Sequence, residues 1–423
     1  MDKELLEKIQ STFLIREIES IEPINAGNIN STFKVKAKGA TYIIQKINKY
    51  VFKNPPEIMQ NIRRVSRHLK KKVLLEGGDP NVEVLHPIDT LDATKFLIYE
   101  RECYNKEGKP YIDEEYWRMY DWIEGAKTYD NIDSPEIFYE VGKAFGRFQK
   151  RLADYPVENL HEAIPDFHNT PKRLMDFKLA ILADKAGRLK AIKGQKDHPL
   201  KLAIDKIMTY ENELNLLEVG KLSGELPIRV AHNDTKINNV MIDEQTGKAI
   251  CVIDLDTVGK GTLEDYGDAI RSGANPAGEE PENIEDAQLD LELFEAYTRG
   301  YLEETLVFNK IGEINEDPKM GLTKNEVEML YKAPKILALE LAMRFITDYL
   351  NGDEYFKLKE GQPADFNLTR GLVQLHLAED MNSKEEEMKE IVEKIVEEIK
   401  DKKLKVQNRS SIGVEPDDDE GLR

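Results

Sequence analysis

One stretch of the 423-residue sequence concentrates groups that can do chemistry: His232-Asn233-Asp234-Thr235-Lys236-Ile237-Asn238-Asn239. Asp254, in Ile253-Asp254-Leu255-Asp256, follows Asn239 by fifteen residues. Phosphoryl transfer needs one carboxylate to orient the attacking hydroxyl. It needs a second carboxylate and a neutral oxygen to hold Mg²⁺ on the phosphates, and a cation near the transferring group. Asp234 can be the first carboxylate, Asp254 the second, Asn239 the neutral ligand and Lys236 the cation. Asp256, the other carboxylate of the pair, is counted with Asn239 and Asp254 as a candidate metal ligand. Mg²⁺ keeps several waters, so few protein ligands suffice. A bare His-x-Asp would equally be a core histidine and a turn residue. The added Lys, Asn and downstream Ile-Asp, in this order, favour chemistry.

The surrounding elements can position this set. The apolar residues Ile228 and Val230 predict a short strand that delivers the loop, and strands at 239–242 and 249–254 flank the turn Asp243–Gly247. Both polar clusters then lie at one end of a small sheet, in the kinase catalytic-loop order His-x-Asp-x-Lys-x-x-Asn with the metal Asp on the following hairpin. Upstream, β-branched runs at 17–25, 30–37 and 41–48 predict strands, Pro55-Pro56 opens a helix, and 95–103 and 116–123 read as further strands. Asn25–Thr32, with Asn30, Ser31 and Thr32 at its end, sits where a kinase has its phosphate-covering loop; an ordinary hairpin turn fits equally well. Gln45 occupies the third strand where a phosphate-binding base is usual, and alternation turns Lys46 to the opposite face. Trp117–Ile123, with Tyr120, Asp121 and Ile123, reads as a hinge whose backbone could pair with adenine, or as a buried aromatic strand.

Helices dominate from about Gly125. Ser134-Pro135 is a cap and first-turn pair, and long helices are expected at 286–307, 324–350 and 369–381. Ser383 and Glu386 suggest a capping box before an apolar stripe, Met388 to Ile399, best read as packing on the main body. The expected organisation is α+β and two-lobed: a nucleotide lobe at 1–123, a helical catalytic lobe at 124–382, an appended helix at 383–404 and a disordered acidic tail at 405–423.

Composition narrows the function. The net charge of −20 opposes binding to phosphate backbones, so nucleic acid is not an expected partner. Two cysteines, Cys103 and Cys251, form no CxxC pair, which fits a reducing cytoplasm and argues against structural zinc. No apolar run reaches the ~18 residues of a membrane span. No protein partner is evident.

The catalytic loop, the Ile-Asp hairpin and Asp265-Tyr266-Gly267-Asp268 together resemble the aminoglycoside phosphotransferase and choline kinase superfamily, which has the protein-kinase-like fold. Within it, Tyr42–Gln45, Phe167–Pro171, Asp254–Thr257, Gly267–Arg271 and the run from Met343 to Phe356 are most similar to bacterial N-acetylhexosamine 1-kinases. The resemblance spans about residues 17–382. It implies MgATP-dependent phosphorylation of the anomeric hydroxyl of a small sugar, N-acetylglucosamine or N-acetylgalactosamine. It also implies Asp234 as base, Asn239 and Asp254 as metal ligands, Arg344 and Tyr355 as sugar contacts, and Asn30 near the substrate. Asn28 stands where these kinases commonly have a sugar-touching histidine. An aminoglycoside or choline kinase is the alternative. A non-catalytic binding protein on the fold would be expected to have lost one of Asp234, Asn239 or Asp254, and all three are present.

Overall fold

A computed structural model of the chain describes residues 2–411 other than 25–28, 86, 93, 106 and 133, with side chains through Lys405. Asn28 therefore lies outside the described residues. The first lobe begins with α1 (Lys3–Phe13), where the Asp2 carboxylate accepts from the Leu5 N–H at 2.9 Å and Leu5, Ile9 and Phe13 face inward. Next come β1 (Ile18–Ile24), β2 (Ser31–Ala37), β3 (Ala40–Lys46), α2 (Pro55–Leu75), the single turn α3 (Pro80–Glu83), β4 (Leu97–Tyr104) and β5 (Pro110–Asp121). The five strands form one antiparallel sheet in the order β1-β2-β3-β5-β4. Period-two alternation decides its faces. Val35, Ile44, Trp117 and Met119 pack with α1, while Gln45 and Arg118, directly opposite each other on β3 and β5, share the face toward α2. Lys46 lies on the other face and pairs with Glu115 at 2.7 Å. β5 starts six residues before the expected 116, because its first half forms with β4 a hairpin whose Tyr111 and Ile112 remain exposed and so carry no buried alternation.

The second lobe starts at β6 (Ala126–Lys127). It continues with α4 (Pro135–Arg151), α5 (Thr170–Ala183), the one-turn α6 (Arg188–Ala191), α7 (Pro199–Thr209) and α8 (Leu216–Ser223). The short strands β7 (Arg229–Ala231), β8 (Val240–Asp243), β9 (Ala249–Val252) and β10 (Gly259–Gly261) follow. Then come α9 (Glu264–Gly273), α10 (Leu291–Thr305), α11 (Lys324–Met329), α12 (Ala333–Asn351), α13 (Phe366–Ser383) and α14 (Glu385–Ser411). β6-β8-β9 and β10-β7 are the two small sheets. α4 and α10 cross closely enough that a Cβ on Gly300 would strike the Tyr139 carbonyl. This antiparallel-sheet lobe followed by a mostly helical part is the protein-kinase-like fold expected from the sequence.

Several helix boundaries differ from the periodicity. The run expected at 324–350 breaks between α11 and α12, because Pro334 at the start of α12 has no N–H to donate back into the preceding turn. The helix expected from 286 begins at Leu291, where Asp290 caps it by accepting from the Glu292 and Leu293 N–H groups. Ser383 is not a capping residue: it ends α13, and its hydroxyl donates to the Asp380 carbonyl at 2.7 Å. The apolar stripe of α14 packs on the body through buried Met388, Val392, Ile395 and Ile399. The helix runs on to Ser411, past the expected end at 404, and residues 412–423 lie outside the description. No helix among the described residues is long and apolar enough to cross a membrane.

Candidate active site

The loop that carries Asp234 is held from behind by buried hydrogen bonds. β7, buried along its length, delivers it, and pairs with β10 from Gly259 opposite Ala231. Asp265, in the first turn of α9, accepts from the His232 and Asn233 backbone N–H groups, both at 2.7 Å, and from Gln149 Nε2 at 3.1 Å. The Thr235 hydroxyl donates to the Asp265 carbonyl at 2.7 Å. His232 is a core residue, edge-on to Phe145 and Phe148, and its Nε2 donates to the Ile253 carbonyl at 2.8 Å. The imidazole thus fastens the loop to the hairpin that ends in Asp254. Asn233 takes a left-handed φ of 64°, a backbone region in which Asn is enriched. Asp265→Ala would strand two buried N–H groups, each costing ~1–3 kcal/mol. The expected result is a several-degree fall in Tm together with loss of activity; a variant with unchanged melting would show that the loop holds its shape without Asp265.

Asp234 itself remains accessible. Lys236 Nζ stands 3.2 Å from its Oδ1, and Asn239 Nδ2 donates to its main-chain carbonyl at 2.8 Å and to Oδ2 at 3.2 Å. Desolvation pulls the Lys236 ammonium down, but the charges of Asp234, Glu279 and Asp268 outweigh it and hold its pKa above the ordinary value. Asn239 spends its amide donor on Asp234, which leaves its carbonyl oxygen for a metal. Asp254 sits in a left-handed conformation, φ 60°, at the end of the hairpin, with its side chain open to the cleft. The protein around that cleft still thins the water about it. That desolvation, with the neighbouring Asp256 charge, pushes its carboxyl up to about 6, while Arg118 pulls the other way. One carboxylate and one amide oxygen, both hard donors, suit Mg²⁺ with water completing its shell.

Asp256 does not stand with them. Its Oδ1 accepts from Arg118 Nη1, and its Oδ2 from Arg118 Nη2 at 2.9 Å and from Asn30 Nδ2 at 2.6 Å. Its oxygens are committed to two groups of the first lobe, so the geometry gives it the task of joining the lobes. Asn30 also accepts from the Asn48 N–H at 2.9 Å. Thr32 accepts from Gln45 Nε2 at 3.0 Å, and Ser31 is exposed at the start of β2. Tyr120 is buried next to Arg118, Asp121 is exposed at the end of β5, and the Trp122 N–H goes to the Thr41 carbonyl at 3.1 Å. The Ile123 N–H has no partner among the described residues and is available to a ligand at the lobe junction.

The sequence model of a family described as the phosphotransferase enzyme family matches residues 20–304. The chain belongs to this family. Three solved structures share the fold of this phosphotransferase at low identity. An amicoumacin kinase in complex with AMP-PNP, Ca²⁺ and its ligand is 12% identical with a TM-score of 0.54, over 88% of this chain and 93% of its own. A microcompartment-associated aminopropanol kinase is 15% identical, with a TM-score of 0.54 and coverage of 90% and 98%. A spectinomycin phosphotransferase in complex with ADP and spectinomycin is 15% identical, with a TM-score of 0.51 and coverage of 90% and 99%.

Around α12 and the turn after it the phosphotransferase gathers a second set of groups. Arg344, on α12, lies over the Phe167 ring at 5.4 Å and the Phe356 ring at 5.8 Å, with no carboxylate paired to it among the described residues. The Tyr355 ring meets Phe356 edge-on at 4.7 Å, and its phenol is exposed. The Asp348 carboxylate fixes this turn by accepting from the Tyr355 and Phe356 N–H groups at 2.9 and 2.8 Å. Glu279 pairs with Arg271 at 2.9 Å and Glu280 with Arg370 at 3.3 Å, so these two acids of the loop after α9 already have cationic partners. Arg118, Glu279 and Arg370 were not singled out from the sequence. For Arg118 a signal existed: a lone arginine in a buried aromatic strand needs an acidic partner, and Gln45 leaves the face of β3 toward α2 without a base.

Proposed function

We propose that the chain is an ATP-dependent kinase of a small hydroxyl-bearing acceptor, and that the acceptor is an N-acetylhexosamine phosphorylated at its anomeric hydroxyl. The observation that carries the kinase reading is Asp234, accessible between Lys236 and Asn239 on a loop locked by Asp265, with Asp254 facing the same cleft. Membership in the phosphotransferase family supports it. Asp234 accepts the hydrogen bond, and then the proton, of the attacking hydroxyl. Lys236 lies beside the path of the transferred group and counters its charge. Mg²⁺, when held by Asn239 and Asp254, supplies charge neutralisation on the phosphates. Gln45, Thr32, Asn30 and the backbone of Tyr120–Ile123 line the nucleotide side.

The sugar reading rests on the resemblance to N-acetylhexosamine 1-kinases and on the chemistry of the groups around α12. The guanidinium of Arg344 and the phenol of Tyr355 offer neutral-polyol hydrogen bonding beside aromatic faces. An anomeric hydroxyl is more acidic than other sugar hydroxyls, so a carboxylate base is adequate. ADP release measured against a panel of N-acetylhexosamines, plain hexoses, choline and aminoglycosides tests this directly. The expected result is highest kcat/KM for an N-acetylhexosamine; preference for an amine-bearing acceptor would end the sugar reading. Arg344→Ala is expected to raise KM for the sugar by ~10-fold or more and KM for ATP far less, because its contact is with the sugar alone. Equal increases in both would remove Arg344 from the acceptor site.

A further inference from the structure

On the face of β3 toward α2, where kinases usually carry a base, this chain has none. Gln45 fills that position on β3, and its carbonyl Oε1 accepts from Arg118 Nε at 3.0 Å and Nη2 at 2.8 Å. The guanidinium of β5 therefore occupies the space at the tip of the Gln45 side chain. Its remaining donors point across the cleft. Nη1 and Nη2 form a fork on the two oxygens of Asp256, and Nη1 also touches Met59 Sδ on α2 at 4.0 Å. Arg118 and Asp256 are 1% and 3% exposed. All five N–H donors of Arg118 are thereby engaged by protein, which leaves none to spare for a phosphate oxygen. Asp256 lies two residues beyond Asp254 on the same 3₁₀ turn, so whatever holds one carboxylate sets the position of the other. The turn is gripped again by Asn30 on Asp256 and by Asn61 Nδ2 of α2 on the Val258 carbonyl at 3.1 Å.

We propose that Arg118 is a positioning residue for the metal site. Resting on the kinase reading above, it fills the space left by the missing β3 base but does other work: it fixes the Asp254 turn to the nucleotide lobe through Asp256, and it does not contact phosphate. A bidentate fork suits this task, because it fixes orientation as well as distance. The test is ADP affinity by titration calorimetry, with Mg²⁺ and with EDTA, for three proteins. These are the unsubstituted chain, Arg118→Lys, and the paired Arg118→Met/Asp256→Asn variant, which leaves no buried charge unpaired. Arg118→Lys keeps the charge and loses the fork, and it is decisive if the paired variant fails to fold. The tightening of ADP by Mg²⁺ is expected to fall by ~10–100-fold in both variants, as for other groups that orient a metal ligand. Affinity in EDTA should change by less than about threefold, and KM should rise for ATP and not for the acceptor. An equal loss in EDTA would overturn the assignment by placing Arg118 on the phosphates. Unchanged Mg²⁺ dependence with lowered Tm would overturn it by leaving only a structural pair. No nucleotide binding by the unsubstituted chain would overturn the kinase reading itself, a failure distinct from the other two.

Discussion

Asp234→Asn is expected to lower kcat by ~10²-fold or more while leaving Tm and KM for ATP close to those of the unsubstituted protein. The amide has nearly the shape of the carboxylate but cannot take the proton of the attacking hydroxyl. The loop should survive the change, because its anchors are elsewhere. Asp265 holds the His232 and Asn233 N–H groups, and Asn239 bonds the main-chain carbonyl of residue 234 more closely than its side chain. The nucleotide is met by other residues, so the loss should fall on turnover. Steady-state kinetics with a thermal melt check both halves; near-normal turnover in a normally melting variant would remove Asp234 from the chemistry.

Asp254→Asn is expected to abolish most Mg²⁺-dependent turnover, again by ~10²-fold or more, since the phosphates lose their charged bridge to the protein. Asn tolerates the left-handed backbone of this position, so the fold should persist. The pH dependence has a definite sign. In the metal-free protein the Asp254 carboxyl is pushed up to about 6, so below that pH a proton competes with the metal. The Mg²⁺ concentration for half-maximal activity should therefore be about tenfold higher at pH 5 than at pH 7. The same shift bears on stability. A carboxyl whose folded pKa lies above its unfolded value favours the fold at low pH, and that advantage is lost as pH rises through about 6. Metal-free Asp254→Asn should then melt slightly higher than the unsubstituted protein at pH 8 and alike at pH 4. The gain is small because the side chain faces cleft water, which screens its charge. A Mg²⁺ requirement that does not change between pH 5 and 7 would contradict this account.

The candidate catalytic loop was visible in the sequence because its groups are contiguous: His232, Asp234, Lys236 and Asn239 need only local geometry, and the hairpin after them carries Asp254. The lobes were legible for a similar reason, since alternation and caps such as Ser134 act over a few residues. What sequence could not show lies in pairings between distant strands. Gln45 and Arg118 become partners only through the β3–β5 register, and Arg118 reaches Asp256 only across the lobe junction, 138 residues along the chain. The adjacency of Asp254 and Asp256 suggested a shared task, whereas three-dimensional partners separate them. The break at Pro334 was readable and was overridden by the apolar period on either side of it. The early start of β5 was not readable, because an exposed hairpin leaves no apolar pattern.

Phosphorus NMR of the product formed from ATP, Mg²⁺ and N-acetylglucosamine or N-acetylgalactosamine tests most directly whether the phosphoryl group passes to the anomeric oxygen of an N-acetylhexosamine. A sugar 1-phosphate signal that couples to the anomeric proton, and that is lost with Asp234→Asn, is the predicted result. A 6-phosphate, or phosphorylation of an amine-bearing acceptor in preference to every hexosamine tested, would contradict it.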